Sequence, residues 1–339
     1  MSVEESPELP SDDVFSLLAA LLEGGEMYGC DLAVARPRAP CRNGGANMTD
    51  VRVLDRRDWE ARAEAHRRRV DGWIGPHLSR RRAGVAHPVE DFLFSYYGYR
   101  PSRLRRWHPG AGVVLEGARE FGTGYVDVDG GATLDTAALV PRRRETLTWV
   151  AGLLAATAGR PGQFGCFGMH EWAMVYRLPP ERVRHATQPL RMSPEAVAAV
   201  VEERPLRCSH FDAFRFFTPQ ARPLNQAQLT REHQVEREQP GCLHANMDLY
   251  KWASKLSPLV PGELVADCFE LARDIRAVDM RASPYDLSHH GYPPIPVETP
   301  AGRIEYAAAQ RDFAERAVPL RRRLLAACEG LLAEAGALY

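Results

Sequence analysis

Three short stretches in the middle of the chain each set a histidine within four residues of a carboxylate. "GCFGMHEWAMVYR" carries His170 and Glu171, "RCSHFDAFRFFTPQARPLN" carries His210 and Asp212, and "QPGCLHANMDLYKWASKL" carries His244 and Asp248. Imidazole and carboxylate are the groups that hold a borderline metal or pass a proton near neutral pH. A spacing of four puts His244 and Asp248 on one face of a helix, and a spacing of two puts His210 and Asp212 on one face of a strand. Taken singly, each pair needs no function: an i,i+4 contact stabilises a helix by about 0.2–0.5 kcal/mol and ends there. Taken together, they predict one pocket holding His170, His210 and His244 with at least one of Glu171, Asp212 and Asp248. One chemistry for such a pocket is a metal enzyme acting on a small molecule. Iron or another divalent metal would then sit on His170, His210, His244 and Asp248.

A second stretch of unusual composition precedes these. "DFLFSYYGYRPSRLRRWHPG" mixes Tyr96, Tyr97, Tyr99 and Trp107 with Arg100, Arg103, Arg105 and Arg106. Flat rings beside guanidinium groups suit planar or anionic ligands, nucleic acid among them. The same composition also suits rings packed in a core with arginines reaching outward. The formal net charge of the 339-residue chain is −1, so any nucleic-acid contact must come from a local patch rather than from overall charge. Lys251 and Lys255 are the only lysines.

The remaining signals bound the class. No apolar run reaches the length of a membrane span and no basic-then-apolar leader is present, so the expected location is cytoplasmic, with no membrane partner. The 7 cysteines are scattered without a CxxC pair, which argues against a disulfide framework and a thiolate zinc ribbon. GxGxxG, GxxxxGKS and GxSxG are absent, which disfavours dinucleotide binding, P-loop chemistry and an α/β-hydrolase.

The elements that must position these residues are mostly helical. Apolar spacing predicts helices over 59–82, with a break or kink at Gly75-Pro76, then from Pro88 through Tyr97, and over 143–158, 194–203 and 261–280. Residues 302–338 give one or two more. Between 112 and 134 the text turns to Val, Gly, Tyr and Asp with an Asp129-Gly130 turn, a small β element. In the helix over 261–280, Glu263, Asp267, Glu270 and Asp274 form an acidic stripe, read as a solvated face or as partners for the many arginines. The fold class is therefore mainly α, a single large helical domain over 48–339 with a small β insert. Residues 1–47 read as an appended or disordered N-terminal segment, because a loop-like tract, "RPRAPCRNGGANMTD", runs into Met48. Within that segment, "DVFSLLAALLEGGEMYGCDLAV" resembles the opening of PadR-type winged-helix repressors, the only support for a non-enzymatic DNA-binding role.

From about Leu54 onward the chain resembles a family of actinobacterial proteins commonly labelled 3-methyladenine DNA glycosylases. The resemblance is carried by "HPVEDFLFSYYGYRPSRLRRWHPG", "HEWAMVYR", "CSHFDAFRFFTPQARPLN", "QPGCLHANMDLYKWASKLSP" and "ELVADCFELARDIRAVDMRASPYDL". It implies excision of alkylated purines from damaged DNA without a cofactor. On that implication Tyr96, Tyr97, Tyr99 and Trp107 would stack or wedge, and Arg100, Arg103, Arg105 and Arg106 would hold phosphates. Glu171, Asp212 or Asp248 would stabilise the oxocarbenium-like sugar and orient water.

Overall fold

A 27-residue helix, α1, Arg56–Arg82, begins where the Asp55 side chain accepts from the Asp58 backbone N–H. The computed structural model describes residues 52–119, 121–179 and 187–336. The segment read as appended, residues 1–47, lies outside them. The described residues belong to one compact unit, mainly α with a small four-stranded sheet.

Two short helices follow α1: α2 (Phe92–Tyr96) and α3 (Pro101–Arg105). The sheet comprises β1 (Arg52–Leu54), β2 (Val113–Glu116), β3 (Tyr125–Val128) and β4 (Gly131–Leu134), ordered β1-β2-β4-β3. Val128 pairs with Gly131 across the Asp129-Gly130 turn, as the turn residues predict. β1 pairs parallel to β2, a partner that three residues of local sequence could not announce. Then come α4 (Thr136–Ala158), α5 (Met169–Ala173), α6 (Pro194–Glu203), α7 (Phe211–Phe214), α8 (Gln234–Arg237), α9 (Leu243–Leu256), α10 (Gly262–Arg281) and α11 (Pro300–Gly336).

Two helix expectations need correction. Pro76 lies inside α1, which runs on past it, so of the expected break or kink the break does not occur. The helix expected to start at Pro88 starts instead at Phe92, after a turn in which His87 Nδ1 accepts from the backbone of Val89 and Glu90. At the C-terminal end, where one or two helices were open, there is one: α11 runs through Pro319.

The main core runs between α4, α9, α10 and α11, and buries Trp172, Tyr250, Phe269 and Tyr306 completely or nearly so. A smaller core beneath the sheet holds Leu54, Trp107, Leu115 and Ala132. The acidic stripe of α10 is met by arginines: Arg62 pairs with Glu263, Arg69 with Asp267 and Glu270, Arg323 with Asp267, and Arg316 with Asp274. Those pairs clamp α1 and α11 onto the outer face of α10. Its inner face is left to build the site.

Candidate metal centre

His170 enters the interior because the backbone turns sharply just before it. Phe167 and Gly168 both take positive φ, 46° and 69°, and Gly168 caps α5. A Cβ on Gly168 would stand 3.3 Å from Ala282 Cβ and Tyr306 Cε2, so the turn needs glycine for packing as well as for its left-handed backbone. His210 ends an extended segment at the start of α7. His244 and Asp248 occupy the first turns of α9, and Asp279 the last turn of α10. Glu238 follows α8 directly.

These elements bring the three histidines together, as expected. The ring centroids of His170 and His244 are 4.3 Å apart, and those of His210 and His244 are 5.4 Å apart. Around them form two triads whose ligand atoms lie within 4.8 Å of one another: His170, His244 and Asp279; and His210, Glu238 and Asp248. His170 Nε2 stands 2.9 Å from Asp279 Oδ1. His210 Nε2 stands 3.3 Å from Glu238 Oε1 and 3.4 Å from Asp248 Oδ2. Donors held about 2.0–2.2 Å from one ion at angles of about 90–110° are separated by roughly 3–3.5 Å, so these spacings suit a shared cation. None of His170 Nε2, Asp279 Oδ1 or the two His210 ring nitrogens makes an aligned hydrogen bond, although all are buried. Buried polar atoms are rarely left in that state.

Outer partners fix the carboxylates. Arg276 donates to Asp279 Oδ2 at 3.1 Å and to Glu171 Oε1 at 2.9 Å. The Tyr97 hydroxyl donates to Asp248 Oδ1 at 2.7 Å, and Lys251 Nζ donates to Asp248 Oδ2 at 3.1 Å. Gln234 donates to Glu238. Burial works against charge on His170 and His210, but the adjoining carboxylates outweigh it and raise both pKa values. Asp279 and Asp248 are held below the usual carboxylate range despite burial, by His170 and Lys251 respectively. Burial pushes Glu238 up. His244 falls to about 3, through burial and then the charge of His170, so it stays neutral and able to give a lone pair.

Of the candidate carboxylates, only Asp248 joins a triad. Glu171 is turned to Arg276, and Asp212 is engaged by Lys251 at 2.7 Å, with Arg215 and Arg231 beyond. His170 and His244 pair with Asp279 rather than with their sequence neighbours. Sequence spacing did not single out Asp279 or Glu238. For Asp279 a signal existed: Ala272, Ile275, Arg276 and Asp279 share one buried face of α10, where Arg and Asp interrupt apolar residues. Glu238 lies in the polar run "TREHQVEREQPG", whose pattern marks no member.

The aromatic and arginine stretch faces inward for much of its length. Trp107 is buried in the small core, and Tyr99 donates from its hydroxyl to the Lys251 carbonyl at 3.2 Å. Tyr96 stacks on Phe92, centroids 5.0 Å apart, and Tyr97 packs edge-on to Tyr250. Arg103 donates to the Ser254 carbonyl, Arg106 to the Phe121 carbonyl, and Arg105 pairs with Asp71 at 2.6 Å. Arg100 is exposed at the start of α3.

A cavity of about 20 Å³ opens beside the first triad, lined by His170, His244, Tyr306 and the thiols of Cys166, Cys208 and Cys242 among others. The fold thus gathers three cysteines that their spacing in the sequence gave no reason to connect. Burial pushes the Cys208 thiol up to about 12 and that of Cys242 well above its usual value, which keeps them neutral in the free protein. No helix among the described residues is long and apolar enough to cross a membrane. Comparison with family models, curated proteins and solved structures gives no match.

Proposed function

We propose that the protein is a metal-dependent enzyme acting on a small molecule, with a divalent ion, iron foremost, on His170, His244 and Asp279. The observation that carries this is the two-histidine, one-carboxylate set beside a cavity. That donor set, with positions left open, is the one used by non-haem iron(II) centres. The second triad, His210 with Glu238 and Asp248, is the deeper candidate position, and its histidine ring stacks against His244. Arg276, Lys251, Tyr97 and Gln234 act as the outer partners that orient ligating carboxylates. The test is metal content. Protein purified without chelator, or reloaded anaerobically with iron(II), should hold metal in fixed proportion to chain. His244→Ala should lower that proportion by about one ion. Equal, substoichiometric metal in both proteins would end this reading.

A second reading, excision of an alkylated base, draws on the bond from Tyr97 to Asp248, which links the aromatic stretch to a candidate carboxylate. It requires binding to damaged duplex and base release without added metal, and those two assays separate it from the first.

A further inference from the structure

The cavity beside His170 and His244 has a charge pattern that the metal reading does not use. Among the described residues that line it there is no carboxylate; Asp279, Glu238 and Asp248 all stand behind the histidines. The lining does contain one permanent cation, Arg207, at its exposed side. Arg207 has no hydrogen-bond or ion-pair partner among the described residues.

The backbone holds Arg207 in place from both sides. Leu206 and Asn225 form a β-bridge, and the buried Asn225 side chain accepts from the Cys208 N–H at 2.8 Å and donates to the Cys208 carbonyl at 3.0 Å. Leu206 is buried, Arg207 is exposed and Cys208 lines the cavity. A Cβ on Gly165 would stand 3.4 Å from Arg207 Nη1, so the guanidinium lies across a glycine. An unpaired guanidinium on a pinned backbone is a ready partner for a planar oxyanion.

A second, independent group points the same way. Tyr306 is completely buried and lines the cavity, and its hydroxyl makes no aligned hydrogen bond, its neighbour there being the weakly accepting Cys166 thiol. A buried O–H left with only a thiol beside it gains from any stronger acceptor that enters the cavity. The remaining wall is soft and apolar: Met169, Leu206, Phe217, Leu243 and neutral thiols. Space inside is little more than water-sized, about 20 Å³, so the occupant is small.

We propose that this cavity takes a small carboxylate anion, paired with Arg207 at the mouth and accepting from the Tyr306 hydroxyl within. The identification of that anion as the substrate rests on the metal reading above, because only a metal on His170 and His244 gives it a reacting partner. The binding itself does not. Acetate is the probe, with inorganic phosphate as the bulkier comparison, titrated by NMR shift perturbation into metal-free and iron(II)-loaded full-length protein. Acetate should bind saturably to both forms, and more tightly than phosphate. Arg207→Gln should weaken acetate binding about ten-fold or more, the loss expected for a charge-assisted hydrogen bond. Tyr306→Phe should weaken it too while leaving the melting temperature nearly unchanged, since the hydroxyl gives up no more than a weak contact with the Cys166 thiol. That second variant separates a ligand role from a structural one. No saturable acetate binding, phosphate binding tighter than acetate, or acetate affinity unchanged by Arg207→Gln in a folded variant would overturn the proposal. Should the chain hold no metal while Arg207-dependent acetate binding persists, the metal reading fails alone.

Discussion

His170 Nε2 and Asp279 Oδ1 stand 2.9 Å apart in the interior, and neither atom makes an aligned hydrogen bond. One residue comes from the turn at Phe167-Gly168, the other from the far end of α10. An imidazole and a carboxylate at that spacing attract one another, and the same two atoms are close enough to bind one cation together.

Asp279→Asn should therefore abolish stoichiometric metal at the first triad. The amide keeps the shape but loses the anionic donor, and it turns an N–H₂ or a weaker oxygen toward His170. Metal analysis of variant and parent after identical loading checks it. Retention of the parent's metal content in Asp279→Asn would remove Asp279 from the ligand set.

Glu171 makes the contrasting case. Its place beside His170 in the sequence makes it a catalytic candidate, but it sits on Arg276 at 2.9 Å and belongs to neither triad. Glu171→Gln should destabilise the fold, because a guanidinium only 2 % exposed loses one of its two carboxylates. Removing one partner of a buried pair costs about 3–5 kcal/mol, and Asp279 still compensates Arg276, so a loss near 3 kcal/mol or somewhat less is expected. Metal content should not change. Denaturant melts with parallel metal analysis test both halves, and loss of metal with unchanged stability would reverse the assignment.

The sequence showed the helices better than it showed the site, for a physical reason. Helices such as α6 and α10 are written locally, in apolar spacing and in capping residues like Ser193, whose hydroxyl accepts from the Ala196 N–H. The gathering of His170, His210 and His244 could be expected only because each carried a carboxylate nearby, and yet two of those carboxylates serve other cations. Glu171 went to Arg276 and Asp212 to Lys251. Which acid meets which histidine depends on how α5 and α9 face α10, a tertiary property that spacing within one segment does not contain. Cys166, Cys208 and Cys242 were invisible as a group for the same reason.

Away from the site, Asp91 should give the fold an acid-sensitive joint between α1 and α2. Arg80 holds its carboxylate through both Nε and Nη2, His77 Nδ1 lies 2.9 Å away, and the His87 N–H donates at 2.9 Å. Burial alone would raise its pKa, but these partners outweigh it and the net shift is downward. A depressed folded pKa means that the stabilisation is present above the unfolded value, near 3.9, and is lost as pH falls through the folded value. Unfolding free energy should therefore decline with acid below about pH 4 in the parent, and less steeply in Asp91→Asn. Equal slopes in urea titrations across that range would show that Asp91 is not linked to folding.

The last expectation concerns the arginine and tyrosine stretch, where a DNA role and a packing role part company. Trp107 is 4 % exposed in the core beneath the sheet, so Trp107→Ala should destabilise the protein by about 3–5 kcal/mol. Arg105 pairs with Asp71 at an exposed position and Arg106 donates to a carbonyl, so changing both to Gln should leave the melting temperature little changed. If those two arginines engaged phosphates, the salt dependence of duplex binding would flatten by about two units in that double variant, at about 0.9 per phosphate neutralised. The intramolecular partners argue for no such change, because each guanidinium would first have to leave a carboxylate or a carbonyl. Salt titrations on alkylated duplex, with thermal melts of the same proteins, decide it. A slope that flattens on Arg105→Gln and Arg106→Gln, with the fold intact, would restore the nucleic-acid reading of this stretch. An unchanged slope, together with a collapsed melt for Trp107→Ala, assigns the rings and arginines to holding α1, α3 and the sheet together.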